Sequence, residues 1–138
     1  MQNKISIPVI ANFCYNITKM KSFSINSSVK FEQIAEETLQ NLCESFENVL
    51  EKSNLVEWDV NYSNGVLTVT LNHHGSYVLN KQSPNKQIWL SSPISGPKRY
   101  DYIDEKWIYK RDGISLCRIL SEEMSNILQE EINFEDCL

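Results

Sequence analysis

Between residues 58 and 110 the chain breaks into six short β-rich runs separated by turn residues, and no other feature limits its fold so sharply. The runs are 58–62, 66–71, 77–81, 87–91, 99–103 and 106–110. Asn64-Gly65 between the first two is a strong hairpin signal. Asp104-Glu105 would turn the last hairpin, and Asp112-Gly113 would end the final strand. On either side of this stretch the pattern changes period. From Phe31 to about Lys52, the residues Phe31, Ile34, Ala35, Thr38, Leu39, Leu42, Phe46 and Val49 form an apolar stripe at helical spacing. After Ser115, which is suited to cap a helix, Leu116, Ile119, Leu120, Ile127 and Leu128 recur the same way. Helix, consecutive antiparallel strands and helix predict an α+β two-layer sandwich. The N- and C-terminal helices would pack on one face of an antiparallel β-sheet, leaving the other face to solvent or a partner.

The chain has 138 residues, enough for one small core and no more. No run approaches the ~20 apolar residues that cross a bilayer, so no membrane role is expected. Cys14, Cys43, Cys117 and Cys137 are widely scattered, which is neither a zinc spacing nor a disulfide framework. Each reads as an ordinary thiol in a reducing compartment. Residues 1–31 contain Lys4, Lys19, Lys21 and Lys30 and no acid, whereas all 18 acids follow, against 9 bases. Residues 1–27 therefore read as a transit-like or disordered segment and residues 28–138 as the folded domain.

The segment from residue 80 to 101, NKQSPNKQIWLSSPISGPKRYD, carries unusual chemistry for a fold-making stretch. In Gln87-Ile88-Trp89-Leu90-Ser91, alternation puts Ile88 and Leu90 on one face and Gln87, Trp89 and Ser91 on the other. Two readings stand for that indole. It is either an exposed protein-binding hot spot among polar groups or a side chain covered by a neighbouring loop.

A second constellation lies on the first helix. At ~100° per residue, Glu32, Glu36, Glu37, Glu44, Glu47 and Glu51 fall within an arc of roughly 140°. Glu57 and Asp59 follow at the first strand, and Lys52 is the single base in this stretch. A charge run is usually a solvated face. Such faces normally mix signs, however, and the like-charged neighbours here cost a few tenths of a kcal/mol each. Exposed carboxylates with no enclosing cavity suit weak, exchangeable binding of hard or borderline cations.

Asn80-Lys81-Gln82, the run Pro84-Asn85-Lys86-Gln87-Ile88-Trp89-Leu90-Ser91-Ser92-Pro93, and Ser95-Gly96-Pro97-Lys98-Arg99-Tyr100-Asp101 closely resemble the signature of the frataxin family. Ala35-Glu36-Glu37-Thr38-Leu39, Gly65-Val66-Leu67-Thr68-Val69 and Asp112-Gly113 before Ser115-Leu116 extend the resemblance from about Phe31 to Ile132. It implies an iron-binding accessory protein of iron–sulfur cluster assembly that docks on the cysteine desulfurase and its scaffold protein. Ferroxidase activity is also attributed to the family. The location implied is the mitochondrion or an organelle derived from it. Glu36, Glu37, Glu44, Glu47, Glu51, Glu57 and Asp59 match positions of the family's acidic ridge, with iron weakly held as Fe²⁺ or Fe³⁺. Asn80, Gln82, Asn85, Gln87, Trp89 and Arg99 match its partner-facing sheet surface.

Departures from the pattern carry their own expectations. Gln40 stands where an acid is common, and Arg118 where a glutamate often completes the cap after Ser115. His73-His74-Gly75 replaces a more acidic turn, and adjacent histidines in a turn are expected to point apart. Only residues 133–138 follow the second helix, which leaves little to cover the gap between the helices and implies a less stable relative. No phosphate loop, enclosed metal triad or nucleophile–base pair marks a conventional enzyme. The acidic domain disfavours nucleic acid. Three readings remain open: a regulator of cluster assembly, an iron-oxidising or storage protein, and an interaction module with incidental metal. A monomer is expected.

Overall fold

The computed structural model describes residues 26–134, so most of the transit-like segment lies outside the described residues. Every strand among the described residues lies in the unit Phe31–Leu138. Helix α1 (Ser27–Ser53) opens four residues earlier than its apolar stripe, with the Ser28 N–H donating to Asn26 Oδ1 at 3.0 Å. Then come β1 (Asp59–Ser63), β2 (Val66–Thr70), β3 (Ser76–Gln82), β4 (Gln87–Ser92), β5 (Gly96–Ile103) and β6 (Lys106–Tyr109), and finally α2 (Leu116–Leu128). Among the described residues no helix is long and apolar enough to cross a membrane.

The sheet is an antiparallel meander in which each strand pairs with the next, from β1 at one edge to β6 at the other. Ser63 pairs with Val66, so Asn64 and Gly65 alone make the first turn, both at positive φ (52° and 74°). That is the backbone a tight hairpin needs. Asp104 and Glu105 make the same two-residue turn between Ile103 and Lys106, at φ 49° and 62° and without a glycine. Left-handed backbone costs such residues roughly 1 kcal/mol.

Alternation then sorts the side chains. Leu67, Val69, Tyr77, Leu79, Ile88, Leu90, Tyr100 and Trp107 are buried on one face of the sheet. Phe31, Ala35, Leu39, Leu42 and Phe46 of α1 and Leu116, Leu120 and Met124 of α2 are buried with them. Both helices therefore cover a single face, and the α+β two-layer sandwich is what forms. Ser115 caps α2 as expected, its hydroxyl accepting from the Arg118 N–H at 3.2 Å. Arg118, instead of completing the cap, pairs with Glu122 one turn on at 2.8 Å.

Two buried polar joints tie the layers together. The Trp107 indole donates to Thr38 Oγ1 (2.9 Å), and the Thr38 hydroxyl donates to the Ile34 carbonyl (2.8 Å). Glu123 on α2 lies in the interior, and its Oε2 accepts from the Tyr77 hydroxyl (2.8 Å) and the Ser92 hydroxyl (2.6 Å). Its Oε1 is buried without a partner.

Three expectations are corrected. The short tail does cover the gap between the helices, because Phe134 is buried and its ring lies 4.7 Å from that of Phe46. It is pinned from α2, where Ser121 Oγ accepts the Phe134 N–H (2.9 Å) and Ser125 Oγ accepts the Ile132 N–H (2.9 Å). The helix ends in a left-handed residue, Gln129, which turns the chain back. His73 and His74 do not point apart: their rings lie 4.1 Å apart, and His74 meets Trp58 edge-on at 6.0 Å. Both stand in the tight 3-10 turn Asn72–His74. Cys117 is disulfide-bonded, whereas Cys43 is a free thiol, and Cys14 and Cys137 lie outside the described residues. The reading of every cysteine as a thiol fails there because widely spaced cysteines hold no information about which pairs the fold brings together.

Two substitutions test this packing. Phe134→Ala is expected to cost about 3 kcal/mol, as large-to-small core changes do, read as a lower urea midpoint with an unchanged slope. Glu105→Gly is expected to raise stability by about 0.5 kcal/mol, the left-handed strain relieved less the added chain entropy of glycine.

Candidate functional site

The acids of α1 do not behave as one set. Lys81 stands on β3 in phase with the buried Tyr77 and Leu79, so it emerges on the helix side of the sheet. Its ammonium reaches Glu32 at 2.8 Å and Glu36 at 3.4 Å. Lys81 holds the Glu32 carboxyl below its ordinary value. For Glu36 the Tyr62 hydroxyl comes first, and Lys81 and Gln40 add to it. The Tyr62 hydroxyl is buried beside Glu36 with a contact that falls short of good hydrogen-bond geometry. Gln40, which replaces an acid, donates to Glu36 at 3.0 Å. The N-terminal end of the acidic face is thus partly neutralised.

Further along α1, Glu37, Glu44, Glu47 and Glu51 are exposed, and no ion pair to them is found among the described residues. Glu57, in the link to β1, accepts from the Asn72 amide. Asp59 pairs in register with Thr70, and its neighbour Val60 faces the core, so Asp59 stands on the outer face of the sheet rather than beside α1. Among the described residues no three His, Cys, Asp or Glu side chains converge to hold a metal ion. The array is an open field of carboxylates rather than a cage. Cys43 lies within it, 3.8 Å from Glu47, but burial and then Glu47 push its thiol up, which keeps it protonated.

The outer face of the sheet carries the other residues. Trp89 on β4 lies between its register partners Asn80 on β3 and Arg99 on β5. It is half-buried, and what covers it is the Arg99 guanidinium, 4.6 Å from the ring centroid, rather than a loop. The indole N–H donates to Gln87 Oε1 (2.9 Å), the Gln87 amide donates to Asp101 Oδ1 (3.2 Å), and Lys110 pairs with Asp101 at 3.7 Å. Asn80 donates to Gln82 at 3.3 Å. Asn85 sits apart, in the Ser83–Asn85 turn between β3 and β4. A shallow pocket of about 280 Å³ opens beside Trp89, between Asn80, Pro97, Lys98 and Arg99. This platform is locked by its own hydrogen bonds, which lowers the entropy lost when a partner covers it.

Two residues of these surfaces were not singled out in the sequence, Lys81 as a counter-charge and Tyr62. Lys81 left a signal: a lysine in phase with core residues at a strand end must reach for something on the helix layer.

Comparison with known proteins agrees with this geometry. The family model of the frataxin-like domain matches residues 24–130. A mitochondrial frataxin homolog of Drosophila melanogaster is 46% identical over 120 residues, covering 83% of this chain and 63% of the relative, so somewhat more than a third of that protein has no counterpart here. The mitochondrial frataxin of Caenorhabditis elegans is 47% identical over 116 residues, covering 80% of this chain and 85% of the relative. Among solved structures, a trimeric frataxin of Saccharomyces cerevisiae complexed with ferrous iron superposes with a TM-score of 0.64 at 40% identity, over 70% of this chain and 87% of that one. Family model, sequence identity and fold agree, and the chain belongs to the frataxin family.

Proposed function

We propose that this protein is an iron-binding accessory factor of mitochondrial iron–sulfur cluster assembly, which docks by the outer sheet face on the cysteine desulfurase and its scaffold protein. The observation that carries this reading is the Trp89 platform. It is a large aromatic at the centre of a polar sheet face, held by Gln87 and Arg99 and left uncovered by either helix. A partner that covers the indole would bury its remaining exposed area at the centre of a polar patch, which is what an interface gains from such a residue. The exposed glutamates of α1 would present iron beside the docked partner, held by oxygen ligands and therefore exchangeable. The relatives' mitochondrial names support the location. A second reading, iron oxidation or storage by oligomers, is favoured by one observation, the trimeric ferrous complex of the yeast relative. Reconstituted desulfurase and scaffold separate the two. Saturating protein should accelerate sulfide production, and an unchanged rate would leave oxidation and storage.

The ridge makes its own expectation. Fe²⁺ added to labelled protein under argon should broaden amides along Glu37, Glu44, Glu47 and Glu51, and reversing Glu37, Glu44 and Glu47 to lysine should remove most of the effect. Lys81→Gln should extend the broadening to Glu32 and Glu36 by freeing their carboxylates. The same substitution tests the ion pairs. Because both carboxyls are lowered from 4.5, their contribution is present above that pH and lost as pH falls through the lowered values. It should amount to less than about 1 kcal/mol at this exposure, and Lys81→Gln should flatten that part of the stability–pH curve.

For the platform, Trp89→Ala should cost on the order of 2 kcal/mol of affinity for the desulfurase–scaffold complex while shifting the thermal midpoint little. A large loss of stability with affinity intact would instead show Trp89 to be a structural residue.

A further inference from the structure

One buried group has no part in either surface. Glu123 is 5% exposed, in the middle of α2, with one carboxyl oxygen unpartnered. A leucine there would fill similar space without burying a polar atom that lacks a hydrogen bond, so the carboxylate carries a cost that packing does not explain. What it does, and an aliphatic residue would not, is accept the hydrogen bonds of the buried Tyr77 and Ser92 hydroxyls, and the second of these reaches a surface turn.

Ser92 closes β4 in phase with Ile88 and Leu90 and is buried. Its hydroxyl donates to Glu123 at 2.6 Å, which turns both lone pairs outward, where they accept the N–H groups of Ile94 (3.0 Å) and Ser95 (3.1 Å). All three hydrogen-bonding positions of the hydroxyl are used. The 92–96 turn is clamped from a second side as well. A Cβ on Gly75 would sit 2.9 Å from Pro93 Cβ, so the glycine lets the β2–β3 connection close against the proline ring. Lys98 adds a third tie, its ammonium donating to the Ser95 carbonyl at 3.3 Å.

The product of this bracing is an exposed aliphatic side chain. Ile94, at the tip, is 57% exposed, and nothing in the fold gains from holding it there. The turn is continuous with the Trp89 platform through Pro97 and Lys98, which line the pocket beside the indole. Arg99, stacked on the indole, gives the platform face a positive charge, whereas Lys98 alternates to the helix side, over the Tyr109 ring.

We infer that the 92–96 turn is a second, preorganised contact for the protein that covers the Trp89 platform, with Ile94 entering an apolar pocket edged by carboxylates and Glu123 acting, through Ser92, as the residue that positions it. This rests on the docking reading of the Trp89 face. Bracing the turn before the encounter removes the ordering cost of a surface loop, and the acidic edge on the partner answers Arg99.

The test uses the full chain and the desulfurase–scaffold complex as the binding probe, with amide hydrogen exchange of the free protein as a second readout. Ile94→Ser should weaken binding about tenfold, the size of a moderate interface contact, with an unchanged thermal midpoint. Ser92→Ala and Glu123→Leu should each lose protection at the Ile94 and Ser95 amides while the β4 amides stay protected, and should weaken binding to a similar extent. Glu123→Gln keeps an acceptor for Ser92 and should restore both protection and affinity. If Trp89→Ala weakens binding and Ile94→Ser does not, the turn is not a contact, although the platform is. If Glu123→Leu leaves the Ile94 and Ser95 amides protected, Glu123 does not position the turn. If neither Trp89→Ala nor Ile94→Ser changes affinity, the docking reading itself falls and takes this inference with it.

Discussion

Burial of one face of a twisted antiparallel sheet beneath two helices is the constraint on which everything else in this molecule depends. Because side chains alternate along a strand, committing Leu67, Leu79, Ile88, Tyr100 and Trp107 to the helix layer commits Asn80, Gln87, Trp89 and Arg99 to the opposite side. Neither helix covers that second surface. It has to be compatible with water and still offer something to a partner, and polar groups around one braced aromatic meet both requirements. The site and the core are two consequences of one register.

The interior is not purely apolar, and its polar members sit where layers meet. The Trp107 indole on Thr38 joins α1 to β6. The Tyr77 and Ser92 hydroxyls on Glu123 join α2 to β3 and β4. Such bonds add modestly to stability but select one packing arrangement over near alternatives, since a shifted helix would leave the same groups buried and unpaired. The tail uses the same economy, with Ser121 and Ser125, one helical turn apart, steering Phe134 over Phe46.

Electrostatics divides the surface in a way that residue counts conceal. Eight acids between residues 32 and 59 look like one field in sequence. In space, Lys81 draws off Glu32 and Glu36, Asn72 engages Glu57, and Asp59 belongs to the other face of the sheet. What remains open is the stretch from Glu37 to Glu51 on α1. Repulsion within it is tolerable because the side chains are solvated and screened, and solvation also limits how tightly they would hold a cation.

Much of this was legible from residues alone. Period-2 runs split by Asn64-Gly65 and Asp104-Glu105 specify strands and hairpins locally, and the stripe from Phe31 to Val49 specifies a helix and its buried side. Each depends on neighbours a few positions apart, so the order helix, meander, helix and the face on which Trp89 stands needed no tertiary information, whereas what covers its ring did. Long-range proximity did need it. That Lys81 answers Glu32 across 49 positions, that Phe134 meets Phe46, and that Glu123 holds a turn 31 residues away are outcomes of packing two helices at a particular height on the sheet. A chain determines by itself which side each residue faces, because that follows from backbone period; which residues meet across the layers is decided only when the layers close.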